Sequence, residues 1–143
     1  MSAQLQPINP LAQAIPSLAA ICQLQAVLGA LPQVDCPVNH HFSPGVYARE
    51  TMIPEGATIV GKLHGTEHLL IVIGDVTILN GDQRQRITGT QVLNTLPGTK
   101  RAIHAHADTT MITIHVTPET DLAQIEADII LPDPLELIEG ATP

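Results

Sequence analysis

Between Val46 and Val116 the chain alternates short β-prone apolar stretches with turn-forming residues. Apolar side chains recur at alternate positions or in brief runs, and Gly, Pro, Asn and Asp punctuate them, which is the signature of short strands in a sandwich or barrel. Strands are predicted near 45–53, 58–64, 67–73, 76–79, 83–87, 91–94, 102–107 and 111–117. The turns between them are Pro54-Glu55-Gly56, Gly65-Thr66, Gly74-Asp75, Asn80-Gly81-Asp82, Thr88-Gly89 and Pro97-Gly98. Asn80-Gly81 carries the clearest hairpin signal, because both residues tolerate the positive φ that tight hairpins need. So many short strands leave unpaired edges, which a closed barrel hides.

The flanks read differently. Residues 1–16 are rich in Gln, Pro and Ala and predict an extended arm. Ser17 is placed to cap a helix running to about Leu28, with Gly29 and Pro32 ending it. Its apolar positions Leu18, Ile21, Leu24, Val27 and Leu28 share one broad stripe. Thr117-Pro118-Glu119 reads as a second helix start, with Thr as the cap and Pro in the first turn. Leu122, Ile125 and Ile129 continue that helix, and Pro132 and Pro134 break it. The expected organisation is an arm and helix over 1–36, a barrel over 37–117, and a helix and tail over 118–143.

Composition narrows the function. With 143 residues the chain has the length of one domain and enough for a real core. One Phe, one Tyr and no Trp make that core aliphatic and remove the aromatic platforms on which bases stack. A formal charge of −8 with only six Lys plus Arg excludes a phosphate-backbone binder, so no nucleic-acid partner is expected. No apolar run is long enough to span a bilayer, no membrane partner is expected, and no secretory leader is visible ahead of the first positive side chain, Arg49. A cytoplasmic protein with Cys22 and Cys36 as reduced thiols is the expectation.

The candidate chemistry lies in two short segments. His64, Glu67 and His68 surround the Gly65-Thr66 turn, and His104 and His106 share one face of a later strand. Two imidazoles across a hairpin fall within the ~4 Å that two ligands of one metal require, and a facing strand supplies a third or fourth. Strand alternation sends Glu67 and His68 to opposite faces, so one of them shares the inner face with His64. Imidazole and carboxylate ligands suit Zn, Fe, Ni or Mn rather than Ca or Mg. His115 lies on a strand whose other positions, Ile112, Ile114 and Val116, read as core, so its ring is expected to point outward or join a hydrogen-bond network. Cys36, His40 and His41 precede the barrel and read as loop chemistry. Arg49, Lys62, Lys100 and Arg101 flank the candidate segments, while Arg84 and Arg86 belong to a polar hairpin. Four of the six cations near one pocket of an acidic chain point to an anionic ligand.

From about residue 37 to 130 the chain resembles the cupin superfamily, and within it the small single-domain cupin-like proteins of bacteriophages and prophages. The likeness rests on His41-Phe42, Pro44-Gly45-Val46-Tyr47-Ala48-Arg49-Glu50, Ile53-Pro54-Glu55-Gly56, Gly61-Lys62-Leu63-His64, Glu67-His68-Leu69, Gly74, Pro97-Gly98-Thr99-Lys100-Arg101, Ala105-His106, Asp108-Thr109 and Ile114-His115. The resemblance implies an all-β double-stranded β-helix, the jelly-roll barrel, with a metal at one mouth. His64 matches the first cupin motif. Glu67 stands at the spacing before Gly74 that the motif gives its glutamate, with His68 competing for the slot, and Thr66 stands where the motif has its second His. His104 with Asp108 imitates the second motif, and His106 fits the phage-type pattern. The expected metal ligands are His64, His68 and His106, with His104 next. Arg49, Lys62, Glu67 and Arg101 are expected to contact a small anionic ligand. The resemblance further implies at least a homodimer, in the host cytoplasm if phage-encoded. The function so implied is a metal-binding small cupin of unnamed reaction. Its alternatives are a non-enzymatic phage accessory protein that sequesters a small metabolite, and a structural or assembly component.

Overall fold

The computed structural model describes residues 10–80 and 83–132, with side chains from residue 19 onward. The elements run α1 (Pro10–Gly29), β1 (Val38–Ser43), β2 (Val46–Ile53), β3 (Thr58–Val60), β4 (His68–Asn80), β5 (Gln83–Thr95), β6 (Ala102–Ala105), β7 (Thr109–Val116) and α2 (Leu122–Ile129). The strands form one antiparallel sheet in the order β1-β2-β7-β4-β6-β3, with β5 paired to β4.

The β4–β5 hairpin makes this sheet a barrel. The first half of β4, Leu69 to Ile73, pairs with β7, and its second half, Val76 to Leu79, pairs with β6. β5 follows β4 along its whole length, from His68↔Thr95 to Asn80↔Gln83. A single long hairpin thus crosses from one layer to the other, which gives the jelly roll that the sequence predicts. Gly74-Asp75 and Thr88-Gly89, expected as turns, are instead a shared bend inside two continuous strands. Gly74 pairs with Gly89, and both have positive φ (152° and 77°), where a side chain would be strained.

Between the layers lie Ile53, Leu70, Val72, Val76, Ile78, Ile87, Ile103 and Met111. The scarcity of aromatic residues is met by branched aliphatics, each of which contributes about 1.5–3 kcal/mol on full burial. A smaller cluster of Tyr47, Ile125 and Ile129 fastens α2 over one end of the barrel. Gly65 N–H donates to the Ile129 carbonyl at 2.7 Å and Leu131 N–H donates to Leu63 at 2.9 Å, which ties the chain after α2 to the segment carrying His64.

Other boundaries also differ from expectation. α1 begins at Pro10 rather than Ser17: Pro10 takes the first helical position, where its missing N–H leaves no bond unmade. α2 begins at Leu122, capped by Asp121, whose side chain accepts from Ala123 N–H. Thr117, expected as the cap, instead accepts from Glu119 N–H in a local turn. β1, which carries His40 and His41, was not expected as a strand; it pairs with β2 from Val38↔Thr51 to Ser43↔Val46. The turn positions 81–82, the arm over 1–9 and the tail over 133–143 lie outside the described residues.

Candidate metal centre

At the end of the barrel covered by α2 a cavity of about 590 Å³ opens, a size ordinary for small-molecule sites. Apolar side chains of Ile53, Leu70, Ile103 and Met111 form its floor and walls, and His64, His68, His115, Arg49 and Arg101 reach into it.

Each histidine is held by a different part of the fold. His64 lies in a loop and bridges two neighbours: its N–H donates to the Thr99 carbonyl at 3.3 Å and its carbonyl accepts from Gly98 N–H at 2.8 Å. His68 is the first residue of β4 and is buried. Its Nδ1 hydrogen-bonds the Thr66 carbonyl at 3.0 Å, which fixes the proton on Nδ1 and turns the Nε2 lone pair toward the cavity. His115 lies on β7 opposite Tyr47, whose ring stacks on it at 5.9 Å. Leu69 pairs with Ile114, so the start of β4 sets His68 beside His115.

The three rings converge. Centroid separations are 4.5 Å for His64–His68, 4.4 Å for His68–His115 and 5.7 Å for His64–His115. One ligand nitrogen from each lies within 4.8 Å of the others. Metal–imidazole bonds of about 2.1 Å need nitrogens roughly 3–4 Å apart, so small ring rotations complete a three-coordinate cradle.

The protonation of the rings fits this use. Burial first, and then the neighbouring His68, lower the pKa of His64 to about 4 against an opposing backbone bond from Lys62. Burial, then His68 and His64, lower His115 to about 4 as well. His68 is lowered chiefly by burial. At neutral pH all three present neutral rings, the form that binds metal. Among the described residues His115 Nδ1 is buried with no hydrogen-bond partner, the condition of a nitrogen poised to meet a further group.

A pH dependence follows. The unfolded chain has histidines of ordinary pKa, near 6.5, and takes up protons that the folded rings resist until about pH 4. Stability contributed by the neutral cluster is therefore complete above pH 6.5 and is lost as pH falls through that window. Thermal melts of chelator-treated protein across this range are expected to show a falling Tm, and His115→Gln is expected to flatten the fall.

The structure differs from the sequence reading at several of these positions. His115, expected to point outward, is inward and buried; Ile112, Ile114 and Val116 take the outer face, with Val116 89% exposed. His104 and His106 do not join His64 and His68. Ile103 and Ala105 occupy the core positions of β6, so the alternation turns both histidines to the opposite face. There His104 Nδ1 bonds Thr58 Oγ1 at 2.7 Å and His106 Nε2 bonds Thr77 Oγ1 at 2.6 Å. Glu67 is exposed and accepts from Asn94 Nδ2 at 2.8 Å, so of the two alternatives beside the turn it is His68 that faces inward. Lys62 stands at the cavity edge, ion-paired with Glu126 of α2. Arg49 and Arg101 both line the cavity. Nothing within this strand signalled an inward His115, because Ile112, Ile114 and Val116 alternate as its apolar face; the pairing with Tyr47 across the sheet shows it turned inward.

No protein-family model matches the chain, and no curated protein matches it. Solved structures do share its fold. A cupin superfamily protein from Desulfitobacterium hafniense is similar at 17% identity over 64% of this chain and 85% of its own, with a TM-score of 0.50. A cupin 2 domain-containing protein from Halorhodospira halophila is similar at 16% identity over 70% of this chain and 79% of its own, with a TM-score of 0.51. A salicylate 1,2-dioxygenase variant from Pseudoaminobacter salicylatoxidans, solved with gentisate, is similar at 9% identity over 78% of this chain but 34% of its own, with a TM-score of 0.53. Fold and site together define a cupin-type jelly-roll barrel. Its particular feature is a three-histidine cluster positioned for a metal ion inside the barrel mouth.

Proposed function

We propose that this protein is a metal-binding cupin whose barrel mouth takes a small anionic ligand. His64, His68 and His115 are the metal ligands in this reading. The observation that carries it is the convergence of three neutral imidazoles, one with an orphaned nitrogen, in the cavity at the barrel mouth. Three imidazoles without a carboxylate suit Zn, Fe or Ni, whereas Mn, which prefers oxygen ligands, is no longer favoured. A metal bound through three protein ligands keeps open positions and supplies Lewis acidity to a ligand beside it. The chain's own groups do the rest. The Thr66 carbonyl fixes the tautomer of His68, Tyr47 packs against the His115 ring, and Ile125 and Ile129 of α2 form an apolar side of the cavity. Arg49 and Arg101 provide the positive lining that favours an anion.

Elemental analysis of untreated protein tests the metal. About one transition-metal ion per chain is expected, and none in the double variant His64→Ala/His115→Ala. Equally low metal in both, after incubation with each candidate ion, contradicts the reading. A second readout is available because Tyr47 is the only tyrosine and the chain has no tryptophan. Intrinsic emission therefore reports on the ring stacked against His115, and metal loading is expected to change it.

A further inference from the structure

We propose that the ligand of this cavity is a small aliphatic dianion with two separated carboxylates, one held by Arg101 and the other by Arg49. The inference deepens the anionic-ligand reading above and does not depend on the metal.

Arg101 is half-buried, and among the described residues its guanidinium bonds a hydroxyl: Nη1 donates to Thr95 Oγ1 at 2.7 Å. Arg49, more exposed and nearer the rim, likewise donates from Nη1 to Thr51 Oγ1 at 3.0 Å. Among the described residues neither guanidinium has a carboxylate within ion-pair reach. The chain is not short of acids, since it carries fourteen Asp plus Glu against six Lys plus Arg. Two of the four other cations find them, Arg86 pairing with Asp75 and Lys62 with Glu126, while Lys100 donates to the Gly61 carbonyl. The two arginines that line the cavity are left with most of their five donors unspent. Burial disfavours the charge of Arg101, a cost that an incoming carboxylate offsets.

The two forks also stand apart. In the sheet order two strands, β7 and β4, lie between β2 and β6, so the two arginines enter the cavity from different parts of its wall. They belong to β2 and to the segment before β6, and each is anchored by a threonine on a separate strand. A single compact anion satisfies one fork. A short chain with an acid at each end satisfies both, with its methylene body against Ile103 and Met111. Glu126 is the acidic side chain among the cavity residues; it is exposed and already paired, so it does not occupy either fork.

Isothermal titration of chelator-treated protein with succinate, glutarate, butyrate and inorganic phosphate tests this. A diacid is expected to bind at least about tenfold more tightly than butyrate and than phosphate, the usual gain from a second charge-assisted bidentate contact. Arg49→Gln and Arg101→Gln are each expected to bring the diacid down to the affinity of butyrate, with unchanged thermal melts confirming the fold. Equal binding of mono- and diacid, tighter binding of phosphate, no binding of any probe, or diacid affinity intact in both variants overturns the proposal. Because no metal is present, failure here leaves the three-histidine centre standing, and failure of metal loading leaves this result standing.

Discussion

Replacing His115 with alanine is expected to lower metal affinity by at least about 100-fold, while His104→Ala and His106→Ala leave it unchanged. The contrast follows from the two faces of the barrel wall. His115 offers one of three nitrogens gathered within 4.8 Å, and its Nδ1 has no partner among the described residues. Removing it leaves two imidazoles, too few to hold an ion in competition with water. His104 and His106 bond Thr58 and Thr77 on the other side of the wall, and neither lines the cavity. Competition with a chromogenic chelator measures all three variants, and His115→Gln checks that the loss reflects the missing nitrogen rather than a collapsed cavity. A large loss in His106→Ala with none in His115→Ala reverses the assignment.

The second large effect is on stability. Gly74→Ala is expected to cost about 3–5 kcal/mol, the sum of backbone strain and overpacking. A Cβ at Gly74 meets Thr109 Oγ1 at 2.3 Å and its Cα at 2.9 Å. Thr109 has no room to yield, because it is buried and its hydroxyl both donates to the Ala107 carbonyl at 2.9 Å and accepts from Asp75 N–H at 3.2 Å. Gly89, its partner across the hairpin, has nothing within 4 Å of such a Cβ and bears only the cost of positive φ. Gly89→Ala is therefore expected to cost about 1–2 kcal/mol. Urea denaturation of the two variants separates them; equal and small losses indicate that the bend is not locked by Thr109. The bend matters for the site because it lets the start of β4 lie beside β7, His68 next to His115, while the remainder crosses to β6.

The barrel was legible because its evidence is local. Alternation, Gly and Pro punctuation and Asn80-Gly81 all act within a few residues, and the cupin-like motifs fall on the same segments. The long β4 and β5 strands were not legible, since Gly74-Asp75 and Thr88-Gly89 carry turn chemistry whether they reverse a chain or bend one. His64 and His68 stand four residues apart, so spacing alone brought them together, although His64 lies in a loop ahead of β4 and not on the first strand of the expected hairpin. The third histidine depends on which face of β7 and of β6 turns inward, and one residue of register reverses that answer. On β7 the apolar positions Ile112, Ile114 and Val116 suggested the wrong face, because this sheet carries aliphatic side chains on its outer surface as well. On β6 the small Ala105 and the larger Ile103 fill the core, and their histidine neighbours turn away. The arginines were found by their scarcity, a signal that needs no register.

The central claim is that His64, His68 and His115 form one coordination centre. Its most direct test is an anomalous-scattering map from crystals of the zinc-loaded protein. The account predicts a single strong peak within bonding distance of a nitrogen from each of those three rings. A peak at His104 and His106, or none inside the barrel mouth, contradicts it.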